Sequence, residues 1–165
     1  MGSANAQQHT YSIGQLKKHT WTEICETFEE KTIETVRFTD KEMIKERTRT
    51  FLKSNNSYTH TFKNPYYLSN GKADRFNYSL PGKVKRGSYI IHGNHKKEWA
   101  KLFVSMEIID LDDIELTLYW CTPEGTIGGC DTVTYRSEVW TPQKAKSKKP
   151  KPDTSLPSYL KRPGQ

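Results

Sequence analysis

Four side chains in this chain have the chemistry to hold a soft metal: His92 and His95 of the run HGNH, with Cys121 and Cys130 further on. Imidazole nitrogen and thiolate sulfur are the ligands zinc prefers. The spacing argues against a site. Eight residues separate the two cysteines, unlike the short chelating pair of a zinc ribbon, and the histidines fall on a predicted loop at Gly93. Loop histidines and strand-end thiols explain all four, and we expect no metal. Catalytic arrangements are no better supported. No general base flanks a cysteine. GTIGG at 125–129 is followed by neither a helix nor Gly-Lys-Ser/Thr, so it is not a phosphate cradle. Glu29-Glu30 and Asp112-Asp113 have structural readings at a helix end and a hairpin turn. The expectation is a non-enzymatic protein without catalytic residues or cofactor.

Binding chemistry is richer. The stretch 82–99 interleaves Lys83, Lys85, Arg86, Lys96 and Lys97 with Tyr89 and Trp99. Cations neutralise phosphates and rings stack on bases, although a solvated loop whose aromatics belong to the core fits slightly better for the two rings. Residues 141–165 carry seven Lys or Arg against Asp153, so the first 140 residues keep only +1 of the chain's +7. Lys144, Lys146, Lys148, Lys149 and Lys151 concentrate that charge, and five of the eight prolines share the segment. Proline opposes helix and sheet, and like charges extend a chain, so a disordered polyanion handle is expected. Leu156, Pro157, Ser158, Tyr159 and Leu160 have the character of a short linear docking motif for a protein partner. In NPYYLSNGK, Tyr66 and Tyr67 are adjacent in a predicted turn, which leaves one ring expected at a contact surface.

The elements that must position these groups read as follows. Residues 1–12 are polar and flexible. Thr20 and Glu23 form a predicted capping box, and Trp21, Ile24, Cys25 and Phe28 follow at helical spacing. TIETVRF, 32–38, is β-branched and reads as a strand. Thr39 and Glu42 suggest a second capping box, with a helix over 40–53 that buries Ile44, Phe51 and Leu52. Strands are then predicted at 58–62, 75–80 and 88–92. The alternation of 101–110 and 114–121 around LDD predicts an antiparallel hairpin, and 131–140 a last strand. The predicted class is α+β: an N-terminal helix pair packed on an antiparallel β-sheet, a single domain over 13–140, and a disordered Lys/Pro-rich tail over 141–165.

The totals bound the rest. No apolar run approaches the ~20 residues that span a bilayer, and no apolar stretch surrounds the first basic residue, Lys17, so no signal peptide is expected. An odd count of three cysteines gives no disulfide framework, so a reducing, intracellular setting is expected. Gly2 after Met1 is a partial myristoylation match, with Ala6 where Ser or Thr is preferred; a flexible terminus is the simpler reading.

In size, charge layout and tail character the chain resembles the small matrix proteins of negative-strand RNA viruses, of the rhabdovirus type. Pro157-Ser158-Tyr159-Leu160 is similar to their proline-tyrosine motifs. The resemblance implies a structural virion protein that binds ribonucleoprotein or RNA and acidic membrane surfaces and self-associates. Its expected place is the host cytoplasm, the membrane periphery or the virion, neither secreted nor transmembrane. The alternative is a small RNA-binding protein such as a silencing suppressor or movement factor.

Overall fold

Both segments expected to be helices are strands. In the computed structural model, which describes residues 9–122 and 128–142, β1 is Tyr11–Ser12, β2 Trp21–Glu26, β3 Glu30–Phe38 and β4 Glu42–Phe51. β5 is Asn56–Ser69, β6 Arg86–Gly87, β7 Tyr89–His92, β8 Val104–Leu111, β9 Glu115–Cys121 and β10 Cys130–Ser137. The helical elements among the described residues are α1, Ile13–Lys17, and a 3-10 turn at Lys97–Trp99. The α+β class with its helix pair is therefore replaced by a β-barrel.

Two local reasons account for the correction. First, the apolar stripe of 21–28 reaches a core only at Trp21, which is fully buried, while Ile24 is 60 % and Phe28 85 % exposed. Second, Thr-x-x-Glu serves hairpin turns as well as helix starts. The Thr39 hydroxyl accepts from the amides of Lys41 and Glu42, and the Thr39 amide donates to the Glu42 carbonyl, tying β3 to β4. Thr27 bonds Glu29 and Glu30 in the same way between β2 and β3. Hydroxyl-to-backbone bonds of this kind compete with helix wherever the flanking residues alternate. The capping box that does form is Ser12 with Gln15, at the start of α1.

Eight strands close in the order β10-β2-β3-β4-β5-β7-β8-β9, each antiparallel to its neighbours, while β1 and β6 pair separately. β4 and β5 pair along their full common length, from Glu42–Pro65 to Phe51–Asn56. Closure is much thinner: β10 meets β2 only at Arg136–Thr22 and Ser137–Trp21. Beyond those pairs the two strands part.

One end of the barrel is a packed floor. Trp21, Val36, Phe38, Met43, Tyr66, Leu68, Ile90, Ile108, Leu111, Leu116 and Leu118 are buried there, covered by Ile13 and Leu16 of α1. The indole of Trp21 donates to the Leu16 carbonyl at 2.9 Å, which fixes the helix over the floor. His19, just after α1, is nearly buried between Glu138 (2.7 Å) and Asp113 (3.0 Å). Burial lowers the affinity of its ring for a proton, but the bonds to Glu138 and Asp113 outweigh that and leave its pKa raised.

The connection from β5 to β7 packs on the outer wall. Residues 75–80, expected as a strand, make no ladder there; Phe76 and Tyr78 pack with Tyr67 and Ile91 instead, the Phe76 ring 5.1 Å from that of Tyr67 and 4.8 Å from that of Tyr78. Period-two spacing is satisfied by one face lying on the barrel. This also corrects the reading of Tyr66 and Tyr67. They sit inside β5, so successive rings point to opposite faces, and both are buried because the strap covers the outer one. Cys121 and Cys130 are paired partners across β9 and β10 and form a disulfide, contrary to the expectation of no disulfide; Cys25 is free. Among the described residues no helix is long and apolar enough to cross a membrane.

Candidate ligand-binding site

Strand alternation decides what faces the interior, and the inward set changes character along the barrel axis. On β3, Phe38 and Val36 at the floor give way to Glu34; on β4, Met43 gives way to Lys45 and Arg47; on β2, Trp21 gives way to Glu23. On β8 and β9 the inward residues stay apolar to the open end, with Met106 and Val104 beside Trp120. The result is a cavity of about 330 Å³ above the floor with two unlike walls. Val104, Met106, Trp120 and Val133 form the apolar wall. Glu34, Lys45, Arg47, Tyr135 and His92 form the polar one, with Glu23 and Asp131 at its margin.

Glu34 organises the polar wall. Its carboxylate accepts from the Tyr135 hydroxyl at 2.6 Å and from Arg47 Nε at 2.8 Å, with Arg47 Nη2 at 2.6 Å and Lys45 Nζ at 3.3 Å. Burial alone would raise the Glu34 pKa; the Tyr135 bond, Lys45 and Arg47 together hold it below the usual carboxylate range. Its own burial, then the same contact with Glu34, push the Tyr135 phenol up, so it stays a neutral donor. Glu23 goes the other way: burial, then Glu34 and Asp131, raise it. His92 is pulled down to about 4 by burial and by Lys45, so at pH 7 it lines the cavity as a neutral imidazole. The site thus offers fixed charge, neutral donors and acceptors, and an apolar surface.

Of the four smaller or neighbouring hollows that share residues with it, two bear on its role. A crevice of about 520 Å³ lies where β2 and β10 part, lined by outward residues such as Thr22, Ile24, Thr134 and Arg136. The Arg136 guanidinium stacks over Trp140 at 4.0 Å. This crevice is larger but lies on the outside of the seam, whereas the inner cavity is walled by seven strands around a prebuilt polar cluster. The other hollow, about 290 Å³, follows the inner face of the β4–β5 hairpin and shares Arg47 with the central cavity.

The sequence-predicted residues are placed elsewhere. Lys83, Lys85 and Arg86 are exposed on the strap leading to β6, where Arg86 donates to the Thr10 carbonyl at 3.1 Å. Lys96 and Lys97 are exposed past the other end of β7, with the Lys96 ammonium over Trp99 at 4.4 Å. The two groups flank β7 rather than forming one patch, and none of the five lines the cavity. Trp99 is exposed, while Tyr89 is half-buried. Of the four residues first considered for metal, His92 lines the cavity, His95 bonds the Lys63 carbonyl at 2.9 Å, and the cysteines are joined to each other. Gly2, Lys144, Lys146, Lys148, Lys149, Lys151 and Leu156–Leu160 lie outside the described residues.

Sequence reasoning missed Glu34, Lys45, Arg47, Tyr135 and Trp120 as site residues. The available signal was a strand with ionisable groups at every second position, Lys45-Arg47-Arg49, opposite a face that is also polar. Neither face of such a strand belongs in an ordinary core. No family model, no curated protein and no solved structure matches the chain.

Proposed function

We propose that the protein is a non-enzymatic binding barrel that holds one small amphipathic molecule in its open end. An eight-stranded barrel is just wide enough to be filled by side chains or to hold one small ligand, and barrel mouths are common ligand sites. The observation that carries the reading is the division of labour inside this barrel: the floor is filled and apolar, while the upper half keeps a cavity with an apolar wall facing a hydrogen-bonded Glu34–Tyr135–Arg47–Lys45 cluster. Ionisable groups are placed inside a barrel at a cost in desolvation, and a polar ligand group gives that placement a use.

The body implied by the matrix-protein resemblance is α+β, and the body found is a barrel, so the functional reading rests on the barrel. Polyanion binding by Lys144–Lys151 would be a separate property of the tail and would leave the cavity without a role. The intracellular expectation also loses its basis in cysteine usage, because two of the three thiols are paired.

N-phenyl-1-naphthylamine, a neutral dye that fluoresces in apolar surroundings, tests the reading. The full chain should bind it with a stoichiometry of one. Val133→Trp, which fills the cavity from its apolar wall, should weaken binding at least tenfold without loss of the folded circular-dichroism spectrum. Val104→Trp serves the same purpose from β8. No binding to the native chain, or equal binding by both folded variants, would refute the reading.

A further inference from the structure

We propose that the natural ligand is an anion bearing a planar ring, and that the inner face of the β4–β5 hairpin is where ring and charge are recognised. The inference rests on the binding-barrel reading and specifies its ligand. It starts from register. Across the β4–β5 ladder Lys45 is opposite Phe62, Arg47 opposite His60, and Arg49 opposite Tyr58. Directly opposed residues share a face, so each cation on this face has a ring beside it. Phe51 completes the row and meets Tyr58 edge-on at 6.0 Å.

These groups are presented rather than packed away. Tyr58 is 54 %, Phe62 44 % and Phe51 38 % exposed, and the Arg49 side chain is 52 % exposed. β5 pairs with β7 only from Tyr66 onward, so among the described residues Asn56–Asn64 have no strand on their far side. The hollow along it is lined by Arg47, Arg49, Phe51, Tyr58, His60 and Phe62, with no carboxylate among them. The counter-charges sit one strand away on β3. Glu34 takes Nε and Nη2 of Arg47, and Glu30 meets Arg49 at Nε, at 3.4 Å. The remaining guanidinium N–H groups are the donors an anionic group would meet.

The chemistry selects among ligands. An aliphatic acid would satisfy the guanidiniums but leave the four rings without a stacking partner. A neutral aromatic would use the rings and leave the donors unused. A ring with an acidic substituent uses both, because guanidinium planes and aromatic faces stack on the same flat surface. Arg47 lines both hollows, so such a ligand can place its anionic ring on the hairpin and its remaining bulk in the central cavity.

Two dyes with a shared ring framework separate the elements of this claim: 1-anilinonaphthalene-8-sulfonate carries an anion, and N-phenyl-1-naphthylamine does not. The full chain should bind the sulfonate more tightly. Arg49→Gln should weaken the sulfonate about tenfold, or ~1.4 kcal/mol, and leave the neutral dye within about twofold. Tyr58→Leu should weaken both. In competition, 1-naphthoate should displace the sulfonate at lower concentration than octanoate. Equal affinity for the two dyes, an equal loss of both in Arg49→Gln, or octanoate matching naphthoate would overturn the proposal. A single-stranded oligonucleotide that displaces the sulfonate far below the naphthoate concentration would overturn it in favour of nucleic acid. If the neutral dye is bound and Val133→Trp blocks it while the sulfonate gains nothing, the barrel reading stands and this inference falls. If neither dye binds, both fall.

Discussion

Tyr135→Phe removes one oxygen from the centre of the polar wall and should be felt as a pH-dependent loss of stability. Tyr135 is buried, and its hydroxyl gives Glu34 a 2.6 Å bond, much shorter than the 3.3 Å approach of Lys45 Nζ to the same carboxylate oxygen. A hydrogen bond to a charged group contributes about 1.5–3 kcal/mol, and screening of half-exposed Arg47 does not touch this bond. For a barrel of this size 1 kcal/mol corresponds to roughly 3–6 °C in melting temperature, so a fall of about 5–15 °C is expected at pH 7. The sign of the pH effect follows from Glu34, whose folded pKa is depressed. A depressed carboxyl contributes stability that is present above its unfolded pKa and lost as pH falls through the folded one. The variant has less of that stability to lose, so its deficit should shrink by at least half once Glu34 is protonated in the native chain. Urea denaturation of both chains between pH 7 and pH 2.5 measures this. A deficit below about 0.5 kcal/mol at pH 7, or one that is unchanged at low pH, would refute the assignment of Glu34 as the charged hub.

Other outcomes follow from the same geometry. His19 has a raised folded pKa, so its link to Glu138 and Asp113 should stabilise the chain fully below about pH 6.5 and be lost as pH rises through the folded value; His19→Gln should flatten stability against pH over that window. A thiol reagent should find one reactive cysteine per denatured, unreduced chain, Cys25, and three after reduction, and reduction should cost about 2.6 kcal/mol for a loop of this length. Gly93→Ala would place a methyl 2.7 Å from the Phe76 ring and should destabilise by about 1–3 kcal/mol, read by urea denaturation.

The strands were legible wherever alternation coincided with a one-sided core. TIETVRF, the hairpin around Asp112-Asp113 and the last strand are of this kind, because Val36, Ile108, Leu116 and Tyr135 alternate with residues that face solvent. Alternation failed as a guide in β2 and β4, where the inward positions above the floor hold Glu23, Lys45, Arg47 and Arg49. A strand whose core-facing residues are ionisable loses its apolar period, and chance apolar residues such as Ile24 and Phe28 then supply a false helical one. The site was hidden for the same reason. Its cations looked like a solvated helix face, while Glu34 and Tyr135, a hundred residues apart, meet only because β10 returns to β2 and closes the barrel.

The three methionines supply the most direct test of a ligand cavity in the open end, since Met106 lines it, Met43 lies in the packed floor, and Met1 is outside the described residues. The chain can be labelled with carbon-13 on the methionine methyl groups and titrated with N-phenyl-1-naphthylamine while the three resonances are followed. The account predicts a saturable shift of Met106, at the concentration where dye fluorescence saturates, with a smaller shift of Met43 in the floor. Dye bound with the Met106 methyl unmoved would contradict it.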